Sequence, residues 1–104
     1  MFDNVKNRYV TCGVQREVPQ SLQLFMWQCI DELKELQEAD YLQVFELTSK
    51  GGGQNVEHRQ EIPEYKHNYF IPCVDNEVIT AKIFVIDDCN GRDSIQTMLL
   101  AEEY

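Results

Sequence analysis

The residues that could carry chemistry in this sequence are scattered rather than grouped. Zinc and redox motifs need two cysteines close together, and the sequence has no Cys-x-x-Cys pair. We therefore predict reduced thiols that pack as small buried side chains, with no metal and no cofactor. A cysteine–histidine metal site and a reactive thiol are the alternatives for the four cysteines, which are Cys12, Cys29, Cys73 and Cys89.

Candidate catalytic residues also lack partners. His58 lies among charged residues, and a histidine beside a carboxylate can act as a general base. No nucleophile is spaced to pair with it, so we predict a surface ion pair on an edge strand. The glycine run at 51–53 lacks the Gly-Lys-Ser/Thr ending of a phosphate-binding loop and predicts a hairpin. Asp87 and Asp88 precede a turn and are predicted to be solvated. We expect no catalytic residues and no enzyme activity.

Composition excludes several classes of protein. A chain of 104 residues corresponds to a single domain, 1–104, in which residues 1–7 are predicted to be a loosely ordered tail. Its 18 acidic and 9 basic side chains give a net charge of -9, which argues against nucleic acid as a partner. The sequence has no signal-peptide pattern, and no apolar run approaches the roughly 20 residues of a membrane span. We predict a cytoplasmic protein.

Hydrophobic periodicity predicts one long helix and several strands. Apolar residues at spacings of three and four predict an amphipathic helix from about 20 to 37, with Pro19 in its first turn. Gly13 predicts a bulge in the first strand, and the polar third strand is placed at an edge of the sheet. The predicted strands are 8–14, 41–47, 55–61, 78–87 and 94–100.

An aromatic connector lies between the third and fourth predicted strands, at residues 62–73. It is bounded by two prolines and is predicted to form one or two helical turns, with Tyr65 and Tyr69 on one side. With Phe70, these residues offer the large apolar area that is typical of interfaces and ligand-binding cups. Capping of the core is the alternative.

These elements predict an α+β fold, in which one main amphipathic helix packs on a mostly antiparallel sheet of about five strands in the order β-α-β-β-β-β. The helix should cover an inner face made of Val10, Cys12, Val14, Leu42, Val44, Ile79, Ala81, Ile83 and Val85. The opposite face then carries Tyr9, Tyr41, Phe45, Leu47, Phe84 and Ile86. A sheet face open to water is normally polar. We therefore predict that the connector, a second subunit or a ligand covers this opposite face.

Four stretches of the chain resemble a known family over about Arg8 to Tyr104. They are Tyr41-Leu-Gln-Val-Phe-Glu-Leu47, His58-Arg-Gln-Glu-Ile-Pro-Glu-Tyr65, Lys82-Ile-Phe-Val-Ile-Asp-Asp88 and Thr97-Met-Leu-Leu-Ala-Glu-Glu-Tyr104. The family is an uncharacterised group of small acidic proteins of Gram-positive bacteria (Firmicutes), domain of unknown function 960. The resemblance implies a bacterial origin and assigns no catalytic or binding residue. The strand-helix-strand-strand order also resembles the paired modules of gyrase-inhibitor-like domains, which bind apolar or cationic ligands.

The apolar opposite face and the aromatic connector predict a non-enzymatic interaction module. We expect a homodimer or a protein partner, and neither nucleic acid nor membrane. The alternative is a domain that binds a small hydrophobic or cationic ligand in a pocket lined by Phe45, Phe84, Tyr65 and Tyr69. The candidate binding residues are Tyr41, Phe45, Tyr65, Tyr69, Phe70 and Phe84.

Overall fold

A six-stranded mixed sheet forms the body of the protein. The computed structural model describes residue 2 and residues 7–73, 78–90 and 93–104. The elements are β1 Asn7–Val10, α1 Cys12–Glu17, α2 Gln20–Leu36, β2 Leu42–Lys50, β3 Gly53–Gln60, β4 Tyr65–Pro72, β5 Ala81–Asn90, β6 Asp93–Leu100 and a 3₁₀ turn at Ala101–Glu103. The α+β class is confirmed, with six strands instead of about five.

The strand order in the sheet is β1-β6-β5-β2-β3-β4. β1 runs parallel to β6, and the other described pairs are antiparallel. Residues 1 and 3–6 of the predicted tail lie outside the described residues, as does residue 91 in the turn that Asp87 and Asp88 precede. Phe2 is buried, and its backbone N–H donates to the Asp87 carboxylate. No helix in the described ranges is long and apolar enough to cross a membrane.

Helix α2 follows the predicted helix closely. Its apolar stripe is buried against the sheet, and Leu22, Met26, Ile30 and Leu33 are all buried members of the core. Pro19 is the N-cap residue of this helix. A stripe with three-to-four spacing keeps these side chains on one side of the helix, so their burial supplies most of the stability of the helix.

The first predicted strand is too long by four residues. β1 ends at Val10, and the hydroxyl oxygen of Thr11 accepts a hydrogen bond of 3.3 Å from the Val14 N–H, which starts α1. A threonine at this position competes with strand pairing because it satisfies an otherwise free helix donor. The predicted bulge at Gly13 and the predicted buried position of Cys12 are therefore wrong, since both residues lie in α1 and Cys12 is exposed.

The predicted aromatic connector is a sixth strand. β4 pairs antiparallel with β3, and β3 in turn pairs with β2, so β3 lies inside the sheet and not at its edge. The predicted helical turns and the predicted edge position are therefore wrong. An interior position explains why the inward-facing residues of β3 are buried, and these are Gln54, Val56, His58 and Gln60.

Strand register decides which side chains of β2 face α2. Phe45 pairs with Ile83 of β5, and both side chains are fully buried in the core on the helix side. Because successive residues of a strand alternate, Leu47 shares this inner face, whereas Leu42 and Val44 point to the outer face. The sequence-based assignment is wrong for all four of these β2 residues.

The β2–β3 hairpin brings Gly53 close to β4. Gly52 has a φ of +84°, which favours glycine, and the turn agrees with the predicted hairpin. A Cβ atom on Gly53 would clash with the Ile71 carbonyl oxygen and would lie 2.8 Å from the Phe70 ring. The Phe70 ring therefore lies over a position where only hydrogen fits.

We predict that Gly53→Ala destabilises the fold by about 1–3 kcal/mol, because the backbone of β4 must shift to admit a methyl group. Gly51→Ala is the matched control, since nothing lies within 4 Å of a Cβ at that position. Urea unfolding of the two variants measures the difference. Equal stabilities for both variants would show that the contact with β4 is not limiting.

Candidate functional site

The sheet separates the six candidate aromatic residues. Phe84 points to the outer face in one row with Val44, and Phe70 points to the outer face of β4. The other side of the sheet carries Phe45, which is fully buried, together with Tyr65 and Tyr69. The six residues do not form one site, and a pocket shared by Phe45 and Phe84 is ruled out.

An apolar patch occupies half of the outer face. One row across four strands is Tyr9, Thr97, Ile86 and Leu42. The next row is Leu99, Phe84 and Val44. We call the apolar members of these rows the outer patch, and Tyr41 and Tyr104 lie at its rim. The members of the outer patch are Tyr9, Leu42, Val44, Phe84, Ile86 and Leu99. Tyr9, Tyr41 and Tyr104 are 56%, 50% and 77% exposed, respectively.

A recess of about 200 Å³ lies beside the patch, at the start of β2. Tyr41, Leu42, Val44 and Phe84 supply its apolar wall. Its polar wall consists of Asp40, Arg59, Gln60, Glu61 and Lys82. A recess of this size between aromatic and charged side chains can receive one large side chain of a partner, which is a common arrangement at interface hot spots.

An ion-pair ladder lies beside the outer patch and crosses β5, β2, β3 and β4. The Arg59 Nη1 atom lies 2.8 Å from Glu57 and 3.3 Å from Glu46, so it bridges two carboxylates that oppose each other across the strands. Lys66 lies 3.3 Å from Glu57, and Lys82 lies 3.9 Å from Glu46. The ladder therefore has one more positive than negative charge, in a chain whose net charge is -9.

The C-terminal turn is attached to α1 and leads onto the outer patch. The Glu103 carboxylate accepts a 2.6 Å hydrogen bond from the Thr11 hydroxyl and one of 2.8 Å from the Leu100 N–H. These hydrogen bonds lower the pKa of Glu103. Tyr104 follows, and its ring meets the Phe84 ring edge-on, with the centroids 5.6 Å apart.

A chain of glutamines fixes the tautomer of His58 on the inner face. Gln60 Nε2 donates to the carbonyl oxygens of Glu38 and Pro63, so Gln60 Oε1 accepts the hydrogen bond of Gln43 Nε2 at 2.8 Å. Gln43 Oε1 is then the acceptor for His58, 2.7 Å away. His58 Nε2 must therefore carry a proton.

His58 is buried rather than exposed, which corrects the predicted surface ion pair. Its ring stacks on Phe45 with centroids 4.4 Å apart, and Nδ1 has no hydrogen-bond partner among the described residues. Burial, with a smaller contribution from the charge of His67, lowers the pKa of His58 to about 4. His58 is therefore neutral at pH 7 and contributes packing.

A second buried polar group corrects the prediction that Asp87 is solvated. Asp87 is almost fully buried and accepts a 2.7 Å hydrogen bond from the Ser94 hydroxyl, which in turn accepts one from Gln96. Gln96 accepts a 2.8 Å hydrogen bond from Arg8, and Arg8 forms an ion pair of 2.6 Å with Asp31 of α2. This polar chain joins β6 and β1 to the helix.

The thiols have different environments. Cys29 is buried on α2, and burial raises its pKa to about 12, although a hydrogen bond with Tyr69 opposes the rise. Cys12 is exposed, Cys73 is partly buried, and the side chain of Cys89 lies outside the described residues. Within the described residues, no three histidine, cysteine or acidic side chains come together as metal ligands.

A groove of about 580 Å³ lies between α2 and the inner side of β3 and β4. Phe25 meets Tyr69 edge-on beside it, with ring centroids 5.2 Å apart. None of the six candidate aromatics lines this groove, which is formed by Pro19, Ser21, Leu22, Phe25, Gln54, Ile71 and Cys73. Leu22 and Phe25 were predicted only as members of the apolar stripe of the helix, and no sequence signal marked the opening beside them.

We predict that His58 makes the fold less stable as the pH falls. The unfolded chain binds a proton at His58 near pH 6.5, whereas the folded protein does so only near pH 4. The free energy of unfolding therefore declines by about 3 kcal/mol between pH 7 and pH 4 because of this residue. Urea unfolding at a series of pH values measures the decline.

His58→Leu should decline less over this range, although it is less stable at pH 7 because Gln43 loses its hydrogen-bond donor. His67→Gln is the control and should keep most of the decline. Identical pH dependence in the wild type and in His58→Leu would contradict the assignment of this effect to His58.

Comparisons with known proteins place the chain among uncharacterised relatives. The family described as "Staphylococcal protein of unknown function (DUF960)" matches residues 7–103. A solved structure described as "Crystal structure of the protein of unknown function from Enterococcus faecalis" is similar with a TM-score of 0.82 and 28% sequence identity. The alignment covers 99% of this chain and 94% of that chain. No curated protein matches the chain.

Proposed function

The chain belongs to the DUF960 family, and we propose that it is a non-enzymatic interaction module that pairs with a second copy through the outer patch. The supporting observation is a sheet face on which the large side chains Tyr9 and Tyr41 are half exposed. Tyrosine is enriched at interface hot spots. Packing of two such faces would form the aligned sandwich that apolar sheet faces commonly make.

Charge favours a second copy on this face over its other surfaces. Two chains that each carry -9 repel one another, and this repulsion opposes contact through acidic surfaces. The ion-pair ladder beside the outer patch carries slightly more positive than negative charge. Contact through this face therefore brings apolar area together beside a ladder that has no unbalanced carboxylate.

A binding role also agrees with the displaced pKa values of three core groups. Burial is the main cause for Cys29, His58 and Tyr69, and no charged partner is the main cause for any of them. Catalytic groups are usually displaced by burial together with a specific charge in an open cleft. Cys29 and Tyr69 instead form a hydrogen bond with each other, and His58 stacks on Phe45 in the core.

We predict that Tyr9→Glu and Tyr41→Glu each weaken dimer formation at least about tenfold, because each places a carboxylate in an apolar contact. Leu24→Glu and Leu36→Glu are the matched controls. Both leucines lie on α2, where Leu24 is 60% exposed and Leu36 is 73% exposed. Each substitution adds the same charge as a tyrosine variant does. Light scattering over a range of concentrations gives the dimer dissociation constant.

Two results would contradict the proposal. One is a wild-type protein that remains a monomer up to about 1 mM, because its affinity for a second copy would then be weaker than that of any interface of standard size. The other is a larger effect of the α2 variants than of the tyrosine variants, which would move the interface to the helix side of the protein.

A further inference from the structure

We propose that the free edge of β4, together with the groove beneath α2, binds an extended peptide segment of a partner protein that alternates apolar and acidic residues. This site lies on the inner side and edge of the sheet, so it is separate from the outer patch and does not depend on dimer formation. Strand addition to an exposed edge is a general mode of peptide recognition.

The hydrogen-bond pattern of β4 leaves alternate backbone groups available. The Cys73 N–H donates to the Gly52 carbonyl oxygen at 3.3 Å, in the same register as the β3–β4 pairs. Hydrogen-bonded pairs alternate along an antiparallel ladder, so Lys66, Asn68 and Phe70 direct their backbone N–H and C=O groups away from β3. Within the described residues β4 has no second strand neighbour.

Pro72 supports this assignment of the pattern. It lies two residues after Phe70 and therefore at another outward-facing position, where its missing N–H removes no bond to β3. Pro72 keeps its outward carbonyl oxygen, so an added strand would pair with residues 66–70 and donate one more bond to Pro72, next to the groove residue Ile71.

The groove lies where the side chains of an added strand would point. Ile71 belongs to the inner side of β4 and lines the groove, facing Leu22 and Phe25 of α2 across it. A strand added beside β4 would direct every second side chain to this inner side. The groove volume of about 580 Å³ is large enough for two or three apolar side chains.

The lining of the groove favours apolar over polar occupants. Gln54 is its buried amide, and Gln54 Nε2 already donates to the carbonyl oxygens of Thr48 and Ile79. Gln54 Oε1 accepts from the Ile79 N–H at 2.9 Å. Because these bonds are formed, the Gln54 amide has no hydrogen-bonding group to offer a ligand in the groove. Burying a polar side chain of a ligand beside Pro19 and Leu22 would therefore cost free energy.

Charge favours acidic residues at the alternate positions. β4 has no acidic residue, although the chain has 18, and Lys66 is exposed on its outer side. The first turn of α2 also has no acidic residue. Glutamate side chains on the outer side of an added strand would lie beside Lys66, which ends an ion-pair ladder that has one more positive than negative charge. A second copy is less suited to this edge, because its own β4 supplies the same lysine and histidine and no carboxylate.

Hydrogen exchange on the full chain tests this proposal. The probe is a nine-residue peptide, acetylated and amidated, in which valine alternates with glutamate. The peptide is used at about 2 mM, a concentration at which even a millimolar dissociation constant gives a substantial bound fraction. In that bound fraction, hydrogen exchange at the backbone amides of Lys66, Asn68 and Phe70 should slow at least about tenfold. The matched peptide that alternates valine with lysine should give no such protection.

Two variants separate the edge from the groove. Asn68→Pro removes an outward N–H without deleting a β3–β4 bond, and should weaken the peptide at least about tenfold, whereas the control Asn68→Ala should bind it like the wild type. Ser21→Trp fills the groove from an exposed position and should also weaken binding. Thermal unfolding confirms that each variant is folded before binding is compared.

Three outcomes would overturn the proposal. They are no protection by the valine–glutamate peptide, equal protection by both peptides, and protection that arises without peptide and grows with protein concentration. The last result would show that a second copy occupies the edge. Because the outer patch takes no part in these measurements, their failure leaves the tyrosine variants to decide dimer formation separately.

Discussion

The width of a single helix limits how much of this sheet can be buried. An α-helix with its side chains is about 10–12 Å across, whereas six strands spaced about 4.8 Å apart span more than twice that distance. Helix α2 packs over the inner face and reaches Tyr69 on β4, while Arg8 on β1 meets it from the other side. Helix α2 lies on one face only, so among the described residues the outer face and the free edge of β4 have no helical cover, and both binding proposals arise from these uncovered surfaces.

Buried polar contacts determine how the strands align beneath the helix. The Gln60–Gln43–His58 chain is anchored on backbone carbonyl oxygens, and Asp87 is held by Ser94. A shift of β2 against β3 by one residue would separate Gln43 from Gln60 and His58, which costs about 1–3 kcal/mol for each buried group left without a partner. The same contacts direct Phe45 inward, which leaves Val44 and Leu42 in the outer patch.

Much of the fold could be predicted from the sequence because the signal of α2 is long and periodic. Which side chains of β2 point inward could not be predicted, since Leu42 and Val44 are as apolar as Phe45 and Leu47. Alternation alone does not say which pair faces the helix. β4 was missed because a spacing of four, as between Tyr65 and Tyr69, places both residues on one side of either a helix or a strand. Of the candidate sites, the outer apolar face was predictable in kind, while the ladder, the recess and the groove depend on pairings between distant strands.

The account depends most on which surface two copies of the chain share. An isotope-filtered NOE experiment on a mixture of labelled and unlabelled protein observes that surface directly. The account predicts intermolecular contacts between the methyl groups of Leu42 and Ile86 and the tyrosine rings of the other copy. Contacts confined to α2, or no intermolecular contacts near 1 mM, a concentration that reveals even weak pairing, would contradict it.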